Sequence, residues 1–345
     1  MKKINYLFSF AAIAFAMVMV SCDKKDNPAE PEVPVQLIHD GDELSTAIAD
    51  YCEVINGVPT LTLPAGVSVV FNEPVELVAP LAITGDEANP AHIKIGEGGK
   101  FVGGVKISNA VIDASEMANP LVTFDTEDAA EWSFESVGFI NVTMTGLKKA
   151  LVYSGCKNYD AAVVVENSNI EVAADVTVFD FTKGSFPILF SVKNSTFWAP
   201  EATTKSFFSS QSGQKATDME GGTETFEFEN STFYNLAKSK NFFTHRQSNQ
   251  TWLSYIVKDC IFVNCGKSGQ TIKGMNGGQS GKNPTWDITG NVFNFDGADT
   301  SEAEATGDDD EPVKDSKAVV VNFADADNGD FTQSDANAGD PRWMK

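Results

Sequence analysis

The amino-acid sequence predicts an all-β chain, a single right-handed parallel β-helix with an N-terminal capping helix. An internal repeat is the first observation behind this expectation. One six-residue frame recurs as Ile107-Ser-Asn-Ala-Val-Ile112, Phe134-Glu-Ser-Val-Gly-Phe139, Val165-Glu-Asn-Ser-Asn-Ile170, Val192-Lys-Asn-Ser-Thr-Phe197, Phe228-Glu-Asn-Ser-Thr-Phe233, Val257-Lys-Asp-Cys-Ile-Phe262 and Ile288-Thr-Gly-Asn-Val-Phe293. Its third positions, Asn109, Ser136, Asn167, Asn194, Asn230, Asp259 and Gly290, are separated by 27, 31, 27, 36, 29 and 31 residues, a period that marks a stacked array. The second observation is chemical: positions one and six are large and apolar, while position three takes residues that tolerate left-handed backbone. Each frame therefore reads as strand, bend, strand. The third concerns register. Position two, predicted to face outward, runs Glu135, Glu166, Lys193, Glu229, Lys258, and the last four alternate in sign as stacked neighbours do. Between frames the chain is rich in Val, Ile, Phe and Thr and has no amphipathic stretch of repeat length, which argues against helical repeats.

Taken in order, the chain opens with Lys2 and Lys3 before an apolar run from Leu7 to Val20, too short to span a bilayer comfortably and of the size of a secretory signal. The run closes on Val18-Met19-Val20-Ser21-Cys22, which resembles the lipobox of bacterial lipoproteins. That resemblance implies a signal peptide at 1–21, cleavage before Cys22 and acylation of its thiol, with palmitate-type chains holding the protein to the outer membrane. Residues 22–36 are charged and rich in proline, a flexible tether. The folded domain is expected over 37–345. Leu44, Ala47, Ile48, Tyr51 and Cys52 form a helical apolar stripe suited to covering the open end of the array. Early strands are expected at Leu61-Thr-Leu63, Val75-Glu-Leu-Val78, Leu81-Ala-Ile83 and Ile93-Lys-Ile95. A further apolar strand follows each frame, at Leu121–Phe124, Leu151–Tyr153, Val178–Phe181, Phe207-Phe208, Phe242-Phe243 and Thr271-Ile272. Residues 296–317 carry nine acids against two lysines and read as a disordered loop, after which Ala318-Val-Val-Val-Asn-Phe323 is expected to add a last coil.

Composition narrows the function. The 48 Asp and Glu against 25 Lys and Arg give a net charge of −23, a field that repels nucleic acid and anionic headgroups, so the membrane is reached through the lipid anchor alone. Arg246 and Arg342 are the only arginines, too few for phosphate clamps. The three histidines, His39, His92 and His245, are scattered, and no metal or cofactor motif occurs. Asp325-Ala-Asp327-Asn-Gly329-Asp330 begins like a calcium loop but places its glycine fifth and lacks the closing Glu; it reads as an ordinary loop. Cys260 and Cys265 could bridge across a short turn or remain free and buried.

The coils resemble the pectin-lyase-like superfamily of right-handed parallel β-helices. The whole chain, through the Asn-Ser-Thr-Phe copies at Asn194 and Asn230 and the terminal Gly339-Asp340-Pro341-Arg342-Trp343, resembles surface lipoproteins of glycan-foraging Gram-negative bacteria. The resemblance implies a cell-surface protein with a polysaccharide partner. Within that superfamily, calcium-dependent lyases pair carboxylates that hold calcium with an Arg or Lys base. The matching candidates here are Asp180 as calcium ligand, Lys273 or Arg246 as base, and His245 beside them, although a solvated salt-bridge face accounts for the same residues. Trp198 and Tyr234 follow the sixth frame position in consecutive copies and are expected to face outward, either as a platform for sugar stacking or as satellite core beneath a loop such as 199–223. A non-catalytic polysaccharide-binding protein needs fewer groups than a lyase and is the function the sequence favours.

Overall fold

The computed structural model describes residues 38–124, 136–155, 162–181, 187–210, 224–238, 242–245, 253–266, 285–294 and 317–345. Cys22, the signal peptide and the tether therefore lie outside the described residues, as do Glu135, Arg246, Thr271-Ile272, Lys273 and the acidic stretch up to residue 316. Lys317, counted with that stretch, already belongs to a strand.

The chain is mostly β, built on long parallel sheets. Among the described residues the strands form one sheet of 18 and another of seven. Each repeat unit contributes two consecutive segments to the large sheet, and the units up to Thr232–Tyr234 contribute a third to the small one. The first segments include Val58–Thr62, Leu81–Thr84, Ala162–Glu166, Leu189–Lys193, Glu224–Glu229, Leu253–Lys258 and Thr285–Thr289. The second include Ser68–Phe71, Ala91–Ile95, Asn169–Val172, Thr196–Trp198, Thr232–Tyr234, Ile261–Val263 and Val292–Asn294. In the long strands Val105–Asp113 and Val137–Leu147 the two segments run on without a break. The third segments are Val75–Glu76, Phe101–Val102, Val122–Phe124, Val152–Ser154, Phe179–Phe181, Phe208–Ser210 and Phe243–His245. Like segments of successive units pair in parallel, as in Val165↔Val192, Val192↔Phe228 and Phe228↔Val257.

The bends explain the repeat. Asn109, Asn167, Asn194, Asn230 and Asp259 hold left-handed backbone with φ between 47° and 54°, and Gly290 takes φ 70°. Asn is the residue beside Gly that enters this region at least cost, which is why it dominates the column. The frame set at 134–139 is the exception. Phe139 pairs with Ile107 and Met144 with Ile112, so the true copy is Phe139-Ile-Asn-Val-Thr-Met144, and Asn141, not Ser136, takes the left-handed turn at φ 58°.

The next column carries the side-chain bonds. Ser168, Ser195 and Ser231 each donate Oγ to the carbonyl two residues back, at 2.8, 2.7 and 2.8 Å. Each also accepts from the unit before: Val142 N–H to Ser168 Oγ (3.1 Å), Ser168 N–H to Ser195 Oγ (3.0 Å) and Ser195 N–H to Ser231 Oγ (3.2 Å). Cys260 and Asn291 continue the column, with Cys260 N–H donating to Asn291 Oδ1 at 2.9 Å. Cys260 is thus a member of this ladder and Cys265 lies on a different bend. Both are reduced and fully buried, and burial pushes both thiols up, Cys265 to about 12.

Inside, like side chains stack from unit to unit. Phe197, Phe233, Phe262 and Phe293 form a column with centroids 6.2, 5.0 and 5.3 Å apart and planes within 11° of parallel. Outside, the alternating charges meet as the sequence predicts: Glu166, Lys193, Glu229 and Lys258 are register partners, and Lys193 Nζ lies 3.2 Å from Glu229 and 2.8 Å from Glu227. Such half-buried pairs add modest stability and favour this register over its neighbours.

At the N-terminal end the helix Leu44–Tyr51 lays Leu44, Ala47 and Ile48 on the core beside the first strands. Glu43 ties it down by accepting from the Asn72 and Glu73 backbone N–H groups at 2.8 and 3.3 Å. The hairpin Glu53–Ile55 and Val58–Thr62 is the antiparallel pair among the strand pairings described, turning on Asn56 and Gly57 at φ 51° and 84°. At the other end, among the described residues, only Lys317–Ala318 adds to the sheet, against Val292 and Phe293. The chain then leaves the array, which corrects the expectation of a last coil through Phe323.

Candidate functional site

Alternation along the third segments sends the first and last residues of each strand inward and the middle one out. Val122, Val152, Phe179, Phe208 and Phe243 are buried, and the middle residues pair in register as Thr123↔Tyr153↔Asp180↔Ser209↔Thr244. Strands about 4.8 Å apart turn these into a straight row of polar side chains. Thr123 is buried, whereas Tyr153, Asp180, Ser209 and Thr244 are half-buried. Thr244 Oγ1 and Ser206 Oγ share a hydrogen bond of 3.0 Å. From the same end of these strands the chain passes into connections 125–135, 156–161, 182–186, 211–223 and 246–252, which lie outside the described residues.

The structure places Asp180 and Thr244 two strands apart on this face, as alternation predicts. His245 contributes its backbone, paired with Ser210. Arg246 and Lys273 lie outside the described residues, so the calcium-and-base constellation is not assembled among them. No cluster of three or more His, Cys, Asp or Glu side chains suited to a metal occurs among the described residues either. Asp325–Asp330 is a closed turn: a short 3-10 helix, Ala326–Asn328, stopped by Gly329 at φ 82°. Tyr153 and Ser209 were missed by sequence reasoning. Their signal was the inward-outward alternation of Val152-Tyr-Ser154 and Phe208-Ser-Ser210, but their alignment with Asp180 required the register.

Trp198 and Tyr234 are neighbours in register, followed by Val263. They do not form an open platform. Trp198 is 8% exposed because the C-terminal segment 319–345 crosses the outer face of the second segments. Phe331 stands edge-on to Trp198, Tyr234, Phe323 and Trp343, with centroids 5.9, 5.6, 5.0 and 6.1 Å away. The Tyr234 hydroxyl donates to Asp327 at 3.1 Å. Gly329 lies so close that a Cβ there would sit 2.8 Å from Trp198 Cζ2. The covering element is the chain terminus, where 199–223 was the loop the sequence suggested.

Gly339-Asp340-Pro341-Arg342-Trp343 fastens that segment. Asp340 is buried, accepts from Thr196 Oγ1 at 2.7 Å, donates its N–H to Thr232 Oγ1 at 3.0 Å and pairs with Arg342. The Arg342 guanidinium donates to the carbonyls of Asn167 (2.8 Å) and Ser168 (2.7 Å), Trp343 Nε1 donates to Thr196 Oγ1 (2.8 Å), and Gly339 N–H donates to the Asp259 carbonyl (2.6 Å). The motif bridges four successive units. Comparison with protein-family models, with curated proteins and with solved structures finds no match.

Proposed function

We propose that this chain is a lipid-anchored, cell-surface, right-handed parallel β-helix that binds a polysaccharide without cleaving it, along the row Tyr153, Asp180, Ser209 and Thr244. The observation that carries the reading is the in-register spacing of that row on the small parallel sheet. A line of side chains at a constant step suits a polymer with a constant repeat. A tyrosine ring offers a face for a sugar ring, while carboxylate and hydroxyl groups accept from and donate to sugar hydroxyls. Trp198 and Tyr234, covered by the C-terminal segment, take no part. The net charge of −23 favours a neutral glycan over a polyuronate, which also weakens the lyase reading.

Screening neutral and acidic glycans, with calcium and with chelator, tests the proposal. Tyr153→Ala with Asp180→Asn should weaken binding of the neutral ligand by roughly 1–3 kcal/mol and leave the melting temperature in place. An unsaturated, ultraviolet-absorbing product would replace the binding role by lyase activity. Full affinity in the double variant would remove the row from the site.

A further inference from the structure

Four of the six large apolar side chains that stand exposed among the described residues lie at the N-terminal end: Val54 (61%), Ile55 (43%), Val58 (40%) and Val78 (66%). Val54, Ile55 and Val58 belong to the hairpin around Asn56-Gly57, where Val54 pairs with Pro59 and Ile55 with Val58. Alternation puts these two pairs on opposite faces, so the tip is apolar on both sides. A shallow apolar groove lined by Ile48, Cys52, Pro59, Leu77, Val78, Ala79 and Leu81 continues the patch onto the body. Isolated exposed valines are ordinary, but a hairpin tip apolar on both faces and continuous with a groove is a contact surface.

Two facts say what it contacts. The chain enters the fold at this end: Ile38 is buried, and Gly41 N–H donates to the carbonyl of Ser68 in the first second-segment strand. Between Cys22 and Ile38 stand only residues 23–37, with a full reach of about 50 Å and a random-coil span of roughly 20 Å, so an anchor at Cys22 holds this end beside the bilayer. Charge decides the kind of contact. The sequence has no Lys or Arg between Lys25 and Lys94, while Asp50, Glu53, Glu73 and Glu76 stand within five residues of members of the patch. Attraction to anionic headgroups is excluded, leaving apolar insertion at the boundary between headgroups and acyl chains.

We propose that the tip formed by Val54, Ile55 and Val58, with Val78, seats in the membrane that carries the lipid anchor and sets the orientation of the array above it. This rests on acylation of Cys22, and the experiment reads the two separately. The full acylated chain is reconstituted into phosphatidylcholine vesicles containing brominated acyl chains, once as Ile55→Trp and once as Val320→Trp, a site that is also exposed and lies beyond the last strand. Mass spectrometry of the N-terminal peptide reports acylation. The expected result is that the emission added by Ile55→Trp shifts to the blue and falls by roughly half, as a side chain seated at that depth would, while the emission added by Val320→Trp is unaffected. Replacing part of the phosphatidylcholine by phosphatidylglycerol should reduce the quenching. Equal emission from the two probes in a chain shown to be acylated overturns the inference and leaves the anchor standing. An unmodified Cys22 overturns both, and is read at the peptide. A blue shift of the position-55 probe without vesicles, rising with protein concentration in Cys22→Ala, means that a second copy covers the tip and also overturns it.

Discussion

Ten non-glycine residues among those described hold left-handed backbone, and eight of them are asparagine. Their role is conformational before it is polar. Asn230→Leu should cost roughly 1–2 kcal/mol, because a branched side chain is forced into φ 47°, whereas Asn230→Gly should be close to neutral; thermal denaturation of the two variants checks the contrast. Equal loss in both would make the side chain's bonds the dominant contribution. The buried thiols give a second test. Cys265 is raised to about 12 from an ordinary 9.0, so the folded state favours its neutral form: its contribution is complete below pH 9 and is lost as pH climbs toward about 12. Stability should therefore fall across that alkaline window, and Cys265→Ala should flatten the fall. Cys260→Ser should preserve the fold, because Ser168, Ser195 and Ser231 hold the same place in three other units.

The C-terminal segment behaves as an element with its own core: Val321 and Ala338 pack with Ile261, Val263 and Val292 on the outer side of the large sheet. Trp198→Ala should accordingly destabilise by about 3–5 kcal/mol, the cost of emptying a packed aromatic site, and leave the glycan binding proposed for the Tyr153–Thr244 row unchanged in the folded protein; calorimetry and titration separate the two. A loss of affinity without loss of stability would restore the platform. Arg342→Ala leaves Asp340 buried without its cation and should cost about 3 kcal/mol or more. The strands were legible because they obey a local rule, apolar at two ends of a frame with a turn residue between. That rule is degenerate at 134–144, where Phe134, Phe139 and Met144 satisfy it in two registers and only Asn141 distinguishes them. At the candidate site, alternation within one strand accounts for the outward direction of Asp180 and Thr244. Their companions depend on how connections of unequal length bring strands together, and the cover over Trp198 comes from the far end of the chain. Neither leaves a mark in a local pattern.

Across the molecule each unit touches mainly the units before and after it, so opening is local unless something couples them. The terminal Gly339–Trp343 clasp is such a coupling, reaching from Ser168 to Asp259. In Asp340→Ala, hydrogen exchange should accelerate in Thr196–Trp198, Thr232–Tyr234 and Ile261–Val263, while the strands before residue 113 keep their protection; uniform acceleration would mean the array opens as one unit. The spacing of the hydroxyl column has a further consequence. Ser168 and Ser195 lie 27 residues apart in sequence and Ser195 and Ser231 lie 36, yet the bonds joining them have nearly the same length, 3.0 and 3.2 Å. Nine additional residues have been absorbed without displacing the ladder. Closing a longer connection costs only a slowly growing entropy, because its two ends are already fixed by their neighbours in the sheets. Seven of the nine fall between the register positions Ser210 and Thr225, so the stretch joining those two strands is a place where foreign sequence can be spliced in while the scaffold keeps its geometry.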